Sequence, residues 1–262
     1  MNIAQFISRW SDSYDREARL YPALLSLLPI GLLVICIFGP HHPLLVTAAS
    51  ALLVCGGPLL VSRFARDLGK SLEERLFDKW GGKPTTIVLR HRDDRVDAVT
   101  KQKYHDVLAR GVGLKAPTAA EEVNDPATAD TFYRAGTAWL IAQTQDVKKH
   151  SLVFSENKSY GFQRNLRGLK GIGIFVCLAT LCISLFHTFI SLKLVPALAL
   201  DGVDSVTIID ALPTGFSLLM LFCWIFLVTE KSVERAGYFY ADRLIRSCGS
   251  LKPRTLKKQS EE

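Results

Sequence analysis

The densest set of side chains that could do chemistry lies in residues 90–95, which read Arg90-His91-Arg92-Asp93-Asp94-Arg95. The two carboxylates, together with His91 and Asp97, offer ligands for a divalent metal ion, and the arginines offer donors for a phosphate. The alternative is a solvated loop whose opposite charges pair with one another. Because no second cluster of carboxylates or histidines completes a coordination sphere, we expect no metal site and treat the segment as a candidate surface for a partner or ligand.

A second set of polar side chains interrupts the apolar segment 171–192 at intervals of three and four residues. That spacing places them on one face of a helix, away from most of the leucine, isoleucine and phenylalanine side chains. The stripe either hydrogen-bonds to a neighbouring helix or lines a water-filled path, and hydrogen bonding is the commoner arrangement. Its members are Thr180, Ser184, His187, Thr188 and Ser191.

Basic and aromatic residues are mixed through residues 148–170, which lead into that apolar segment. This mixture is typical of a chain lying among lipid headgroups, with cations on phosphates and rings at the interface. Alternatively, the polar residues form a junction with the helix that continues the second apolar segment. The candidate lipid-contact or coupling residues are Glu156, Asn157, Tyr160, Phe162, Arg164, Asn165, Arg167 and Lys170.

The sequence carries none of the familiar catalytic motifs. We find no serine nucleophile elbow, zinc-protease helix, phosphate-binding loop or paired carboxylates within an apolar segment, so we expect neither catalysis nor a cofactor. The 32 Lys and Arg outnumber the 25 Asp and Glu. Because these cations lie beside apolar segments, they favour an anionic lipid surface over a specific nucleic acid. His41 and His42 occupy a short turn between prolines and are expected to be ordinary loop residues.

Four apolar segments predict four transmembrane helices, each long enough to cross roughly 30 Å of hydrocarbon. They pair into two hairpins, 22–62 and 171–229, with spans at 22–38, 44–62, 171–192 and 210–229. A short segment, 1–21, precedes them, and a helix with a basic tail, 230–262, follows. The predicted fold is a mainly α polytopic membrane protein whose hairpins are separated by a helical insert, 63–170, with at most a minor strand.

Within the insert, the sequence predicts a helical stalk at 63–80, a small helical domain at 81–147 and an interfacial segment at 148–170. Residues 85–90 have a strand pattern and need a partner strand, which is a first indication of oligomerisation. A helix is expected from Val96 to Arg110, ending at Gly111. Thr118 and Glu121 predict a capping box, and Asp125-Pro126 predicts the start of a helix that reaches about Val147.

The distribution of positive charge fixes the expected topology. Of the 32 Lys and Arg, three precede the first span, twenty lie in 63–170, eight lie in the tail and one lies in an outer connector. Because cytoplasmic loops are enriched in Lys and Arg, both termini and the insert are expected in the cytoplasm.

Three strings in the insert resemble an uncharacterised group of bacterial four-span inner-membrane proteins. They are residues 80–86 (WGGKPTT), 89–93 (LRHRD) and 156–166 (ENKSYGFQRNL). The general plan, few spans with a cytosolic helical domain, is similar to that of membrane effectors of bacterial anti-phage systems, which permeabilise the membrane when triggered. The resemblance implies no catalytic residue.

Two functions follow as expectations. The first is an oligomeric inner-membrane effector or channel, gated or recruited through its insert, with a place in anti-phage defence. The second is a membrane-anchored adaptor or sensor whose insert binds a cytosolic protein and whose spans form no pore. Both include contact with anionic lipid and a cytosolic protein partner, and the first also requires a homo-oligomer.

Overall fold

The computed structural model describes residues 13–38, 44, 47, 57–191 and 208–251, and this part of the chain is mainly helical and contains no strand. Its α-helices are α1 (Tyr21–Leu33), α2 (Gly57–Trp80), α3 (Pro84–Ile87), α4 (Ala98–Val112), α5 (Ala119–Asn124), α6 (Pro126–Gln143), α7 (Ser151–Gly168), α8 (Lys170–Ser191), α9 (Ile208–Phe222) and α10 (Glu230–Arg246). Turns of π-helix at Asp15–Leu20 and Val34–Phe38 flank α1, and another at Cys223–Leu227 follows α9. A short 3-10 turn, Ser247–Ser250, follows α10.

The chain divides into two compact units. The apolar unit comprises Met1–Glu74 and Gly161–Val233, and the polar unit comprises Arg75–Tyr160 and Glu234–Glu262. The divisions fall within α2, α7 and α10. The polar unit therefore includes most of α10, a helix that the sequence assigns to a separate C-terminal segment.

Two helices of the apolar unit are long and apolar enough to cross a membrane. They are Asp15–Ile37, with 23 residues, and Lys170–Ile190, with 21 residues. At about 1.5 Å per residue, each reaches the roughly 30 Å of a hydrocarbon core. They coincide with the expected first and third spans.

The second and fourth expected spans, 44–62 and 210–229, are not confirmed in the same way. Residues 44–62 lie largely outside the described part of the chain, as do His41 and His42. The described helix at the fourth position, Ala211–Leu227, passes the same test only together with Glu230–Ser250, across a bend of 61°. Pro213 lies inside this helix, and Val228 ends it with a non-helical backbone. Two candidate spans, or three if the bent pair is one span, are therefore present in the described residues.

The polar unit has one continuous apolar core. It joins residues from α4, α6, α7 and α10 to the short segment that follows α3. Its fully buried members include Leu89, Leu108, Tyr133, Leu140 and Leu244. Because α10 contributes Ala241, Leu244 and Ile245, the core of this unit is incomplete without residues that follow the last apolar segment.

The helix starts of the polar unit follow the capping rules. Thr118 and Glu121 form the expected capping box, since the Glu121 amide donates to Thr118 Oγ1 and the Thr118 amide donates to the Glu121 carboxylate. Asp125 accepts a hydrogen bond from the Thr128 amide and Pro126 occupies the first turn of α6. Both sequence predictions are confirmed. Helix α6 stops at Gln143, earlier than the expected end near Val147.

The expected strand at 85–90 is wrong. Pro84 to Ile87 form the one-turn helix α3, with the Ile87 amide bonded to the Lys83 carbonyl, and tight turns follow. Residues 84–90 are all buried. A short apolar run without alternation signals burial on every side, and burial does not by itself distinguish a strand from compact turns.

Gly111 does not end α4 as expected. The helix continues to Val112, and Gly113 ends it with a left-handed backbone (φ 74°) whose amide bonds to the Ala109 carbonyl. Gly111 instead lies against the Trp139 ring, where a β-carbon would overlap the indole. This glycine therefore permits close packing of two helices, a role that local sequence does not distinguish from a helix end.

Candidate functional site

Residues 90–95 form a loop of the polar unit that is held by buried polar contacts. Arg90, only 7% exposed, donates from Nε and Nη2 to the two carboxylate oxygens of Asp130 at 2.8 and 2.6 Å. Its Nη2 also donates to the carbonyl of Gly81 at 2.9 Å, where a left-handed backbone (φ 77°) follows the end of α2. The hydrogen bonds that Arg90 donates to Asp130 raise the pKa of Arg90. Arg90 therefore supports the loop from the interior and is not part of a partner surface.

The side chain of Glu122 holds the loop at the next residue, His91. The His91 amide and the Tyr133 hydroxyl both donate to Glu122 Oε2, each at 2.7 Å. Burial alone would raise the pKa of Glu122, but the hydrogen bonds from Tyr133, His91 and Arg92 outweigh it and lower that pKa. Burial raises the pKa of Tyr133 far above its ordinary value. This carboxylate thus stays ionised at neutral pH, although the two groups that donate to its Oε2 are uncharged.

Two buried basic side chains of α4 also bond to the backbone of this loop or of the residue before it. Lys101 donates from Nζ to the carbonyl oxygens of Arg90, at 2.8 Å, and of Asp93. His105 is fully buried, and its Nε2 lies 2.7 Å from the carbonyl oxygen of Leu89. Burial lowers the pKa of both side chains. His105 therefore serves as a neutral donor at neutral pH, and it stacks against Tyr133 at 5.4 Å between ring centroids.

The outer side of the loop carries two exposed guanidinium groups. Arg95 pairs with Asp93 and lies over the Tyr238 ring, 3.9 Å from the ring centroid to the Arg95 Cζ. Arg92 is 3.9 Å from Glu122 Oε1, and its side chain is 58% exposed. The charges pair within the loop, as the alternative interpretation predicts. Within the described ranges, no group of His, Cys, Asp and Glu is arranged to hold a metal ion.

The polar stripe of α8 contacts α9. Thr180 Oγ1 lies 2.9 Å from Ser217 Oγ, and Ser184 Oγ lies 2.8 Å from Thr214 Oγ1. Thr180, Ser184 and Ser217 are at most 1% exposed. Farther along, Thr188 donates to the Ser184 carbonyl at 2.9 Å. His187 is half-buried, and the side chain of Ser191 lies outside the described residues. These contacts favour the hydrogen-bonding interpretation over a water-filled lining within this chain.

The candidate residues of 148–170 all lie on α7 except Lys170, which is the first residue of α8. In the apolar unit, Arg164 pairs with Glu73 of α2 at 3.2 Å, and Asn165 Nδ2 donates to the Ala18 carbonyl at 2.7 Å. In the polar unit, Tyr160 is 8% exposed and stacks on Tyr240. Glu156, Asn157 and Phe162 are half-buried.

Arg167 and Lys170 mark a boundary at which three helices of the apolar unit change from polar to apolar. Lys170 donates to the carbonyls of Ile225 and Val228, at 2.9 and 3.0 Å, where the helix from α9 ends. Arg167 Nη2 lies 3.4 Å from Glu230 Oε1, at the start of α10. Carbonyls at a helix C-terminus carry partial negative charge, so the Lys170 ammonium stabilises that end.

An apolar cluster at the same level joins these helices. It contains Ala65 of α2, Leu169 and Cys177 around the start of α8, and Trp224 and Val228 after α9. The first charged residues beside this cluster lie one or two positions from its members in sequence: Arg63, Lys170 and Glu230. The sequence alone did not indicate Trp224, Thr214 and Ser217 as partners. The only signal for them was the small or polar character of residues 214 and 217 inside an apolar segment.

Comparison of the chain with protein-family models, with curated proteins and with solved structures finds no match.

Proposed function

We propose that the chain is a membrane-anchored adaptor or sensor. Its apolar unit holds it in a bilayer, and its polar unit binds a cytosolic protein. The observation that carries this proposal is the pair of hydroxyl contacts between α8 and α9, Thr180 to Ser217 and Ser184 to Thr214. Through these contacts, the most polar face of α8, a candidate span, packs against α9 of the same chain. A polar face that is occupied in this way suits an anchor better than the wall of a pore.

The proposed topology has four spans, with both termini and the polar unit in the cytoplasm beside a bacterial inner membrane. The two helices that can cross a membrane support the first and third of these spans. The charge distribution supports the orientation, because twenty of the 32 Lys and Arg lie in residues 63–170. The Lys170 contacts with the end of the Cys223–Leu227 turn agree with a cytoplasmic boundary at that level.

The proposed partner surface is the outer side of the loop 91–95, with Arg92 and Arg95 at its centre. Arg90, Lys101 and His105 support this loop from below, so its two exposed guanidinium groups are presented by an ordered backbone. Arginine on such a loop suits a carboxylate-bearing protein segment, since guanidinium groups bind carboxylates with two parallel hydrogen bonds.

Capture from solubilised membranes tests this assignment. Full-length protein that carries an affinity tag is purified from cells with its associated proteins, beside the double variant Arg92→Ala/Arg95→Ala. Arg134→Ala is the control, because Arg134 is also exposed on the polar unit and donates a hydrogen bond to Thr131 of its own helix. We expect one protein to be retained by the wild type and the control and lost from the double variant. Equal retention by all three proteins, or none by the wild type, would contradict the partner surface.

An oligomeric channel is the second candidate, in anti-phage defence or otherwise. It is favoured by the broad apolar face of α8, where Phe175, Phe186 and Phe189 are exposed and could contact another copy. Cys182, also exposed on this helix, reports on that contact directly. A disulfide-linked dimer through Cys182 in native membranes, lost in Cys182→Ser, would support close packing of α8 between copies. Its absence under oxidation would favour lipid as the neighbour of this face.

A further inference from the structure

Helix α10 has a basic outer face. Its four cations, Lys231, Arg235, Arg243 and Arg246, are all exposed. They are separated by four, eight and three residues, intervals that place them along one side of a helix. Buried residues of the opposite side, among them Leu244, belong to the apolar core of the polar unit. Helix α10 is therefore amphipathic, and its cations face away from that core.

An aromatic side chain lies in the middle of this basic face. Phe239 is 56% exposed and stands four residues from Arg235 and four from Arg243. The three acids of α10 are half-buried, and one of them, Asp242, is paired with Arg246. An exposed ring among exposed cations is typical of a helix at a membrane surface, where the ring enters the interface and the cations bind phosphates.

The start of α10 closely follows a candidate span. Ile225, Phe226 and Leu227, at the end of the helix from α9, are exposed and apolar. At Val228 the backbone is not helical (φ −86°, ψ 89°), so the chain changes direction there. Lys231 comes three residues later. Exposed side chains thus change from apolar to basic within four residues, a change that marks the edge of the hydrocarbon for a helix in a bilayer.

This short connection favours lipid over protein as the occupant of the basic face. From Lys231 to Arg235 the helix rises only about 6 Å, and a headgroup layer is about 5–8 Å thick on each side of the hydrocarbon. The first cations of α10 therefore lie near the depth of lipid phosphates, in whichever direction the helix runs. At that depth, each Lys or Arg strengthens binding to an anionic surface about fivefold.

We propose that the outer face of α10 binds the surface of a bilayer that contains anionic lipid. Arg235 and Arg243 bind headgroup phosphates, Phe239 enters the interface, and the helix lies along the membrane surface. This inference rests on the membrane anchoring proposed above, and it is separate from the partner surface at Arg92 and Arg95.

A photoreactive side chain at position 239 tests the proposal. Full-length protein with p-benzoylphenylalanine in place of Phe239 is reconstituted into vesicles of dioleoylphosphatidylglycerol or of dioleoylphosphatidylcholine. After illumination, mass spectrometry of the intact protein measures the fraction that is joined to a lipid molecule. We expect a lipid adduct in the anionic vesicles and a fraction about fivefold smaller in the zwitterionic ones. No adduct in the anionic vesicles, or equal fractions in both, would overturn the proposal.

The same probe in place of Val123 is the positional control. Val123 is an apolar residue of α5 in the polar unit and is 78% exposed. We expect few lipid adducts at this position in either kind of vesicle. As many adducts at position 123 as at position 239 would show that the probe reports chance encounters with lipid, and would overturn the assignment to α10.

Charge variants separate attraction to a lipid surface from a shaped contact with a protein. With the probe at position 239, Arg235→Gln/Arg243→Gln should lower the adduct in anionic vesicles to the level of the zwitterionic ones. Arg235→Lys/Arg243→Lys should keep the adduct, because an anionic bilayer surface attracts either cation by its charge. Loss of the adduct in the lysine variant, or its retention in the glutamine variant, would overturn the lipid assignment.

Illumination of the probe in intact cells addresses the alternative occupant. We expect a lipid adduct there as well, and a crosslink from position 239 to a protein without a lipid adduct would overturn the proposal in favour of a protein-docking face. Extraction of the membranes with alkaline carbonate keeps the anchoring distinct. Protein that stays in the membrane pellet but forms no lipid adduct overturns the role of α10 alone. Wild-type protein released by carbonate overturns the anchoring and this inference together.

Discussion

The side-chain amide of Asn165 donates a 2.7 Å hydrogen bond to the backbone carbonyl of Ala18, a residue 147 positions earlier in the chain. Asn165 is fully buried, and its Oδ1 accepts from Arg164 Nε at 3.2 Å. Arg164 in turn pairs with Glu73. One buried amide thus joins the π-helical turn before α1 to α7, beside an ion pair between α7 and α2, inside the apolar unit.

Replacing Asn165 by Ala is expected to destabilise the apolar unit. The change removes the donor to Ala18 and leaves that buried carbonyl without this partner, at a cost of about 1–3 kcal/mol. Thermal unfolding in detergent, followed by circular dichroism, measures the loss. Asn157→Ala is the matched control, because Asn157 is a half-buried asparagine of the same helix. A control that loses as much stability as Asn165→Ala would contradict the assigned role.

Gly168 and Gly171 should respond to alanine in opposite directions. A β-carbon on Gly168 would lie 2.8 Å from the backbone nitrogen of Gly69, and backbone cannot move aside as a flexible side chain can. We expect Gly168→Ala to destabilise by about 1–3 kcal/mol. A β-carbon on Gly171 meets nothing within 4 Å, so Gly171→Ala should stabilise by up to about 1 kcal/mol through helix propensity. The same unfolding measurement compares them, and equal effects would contradict the close approach.

Acidification should destabilise the polar unit through His105. Its folded pKa lies below the ordinary value of about 6.5, because burial disfavours the imidazolium. Between the folded pKa and about pH 6.5, the unfolded chain therefore binds more protons than the folded chain, and below the folded pKa the difference disappears. The stabilisation is complete above that pH and decreases by up to about 1.4 kcal/mol per unit as the pH falls further.

The groups around His105 also influence whether its ring takes up a proton. His91 and Lys101 oppose a charge on the ring, whereas Glu122 favours one, and Tyr133 stacks on it as a neutral phenol. Unfolding at a series of pH values tests the effect. His105→Gln should flatten the profile between pH 5 and 7, and His150→Gln, at a half-buried histidine of the same unit, should leave it unchanged. A profile that His105→Gln does not alter would assign the pH dependence to other groups.

The Thr180 to Ser217 contact should give a measurable coupling between α8 and α9. In a double-mutant cycle with Thr180→Val and Ser217→Ala, the expected coupling energy is about 0.6 kcal/mol, the usual size for such contacts between membrane helices. Unfolding by increasing amounts of sodium dodecyl sulphate in mixed micelles provides the four stabilities. Leu178→Ala replaces Thr180→Val in the control cycle, because Leu178 is exposed on the same helix. Strict additivity in the first cycle would contradict the contact.

Patterns among neighbouring residues predicted where helices begin and which segments are apolar better than they predicted the contacts between distant residues. The capping residues Thr118 and Asp125 and the apolar length of the first and third spans each depend on neighbours in sequence, and these expectations agree with the structure. The strand expected at 85–90 is wrong because burial of the whole segment leaves no alternation to separate a strand from turns. Long-range partners carry no local signal, and so Asp130, Glu122 and Ser217 did not enter the candidate sites.

The charged loop 90–95 shows the same limit. Its composition indicated internal pairing, and Asp93 does pair with Arg95. Composition did not reveal that Arg90 points inward to Asp130, whereas Arg92 remains exposed. Which of several adjacent charges is buried depends on residues that are about forty positions away, and periodicity does not encode them.

Dye release from liposomes tests most directly whether the chain is an anchor or a pore. The full-length protein is reconstituted into vesicles loaded with a self-quenching dye, beside the triple variant Thr180→Ala/Ser184→Ala/Thr188→Ala and protein-free vesicles. We expect release at the level of protein-free vesicles for both proteins, even at high protein density. Dye release by the wild type that is abolished in a normally inserted triple variant would contradict the anchor function and assign a pore to α8.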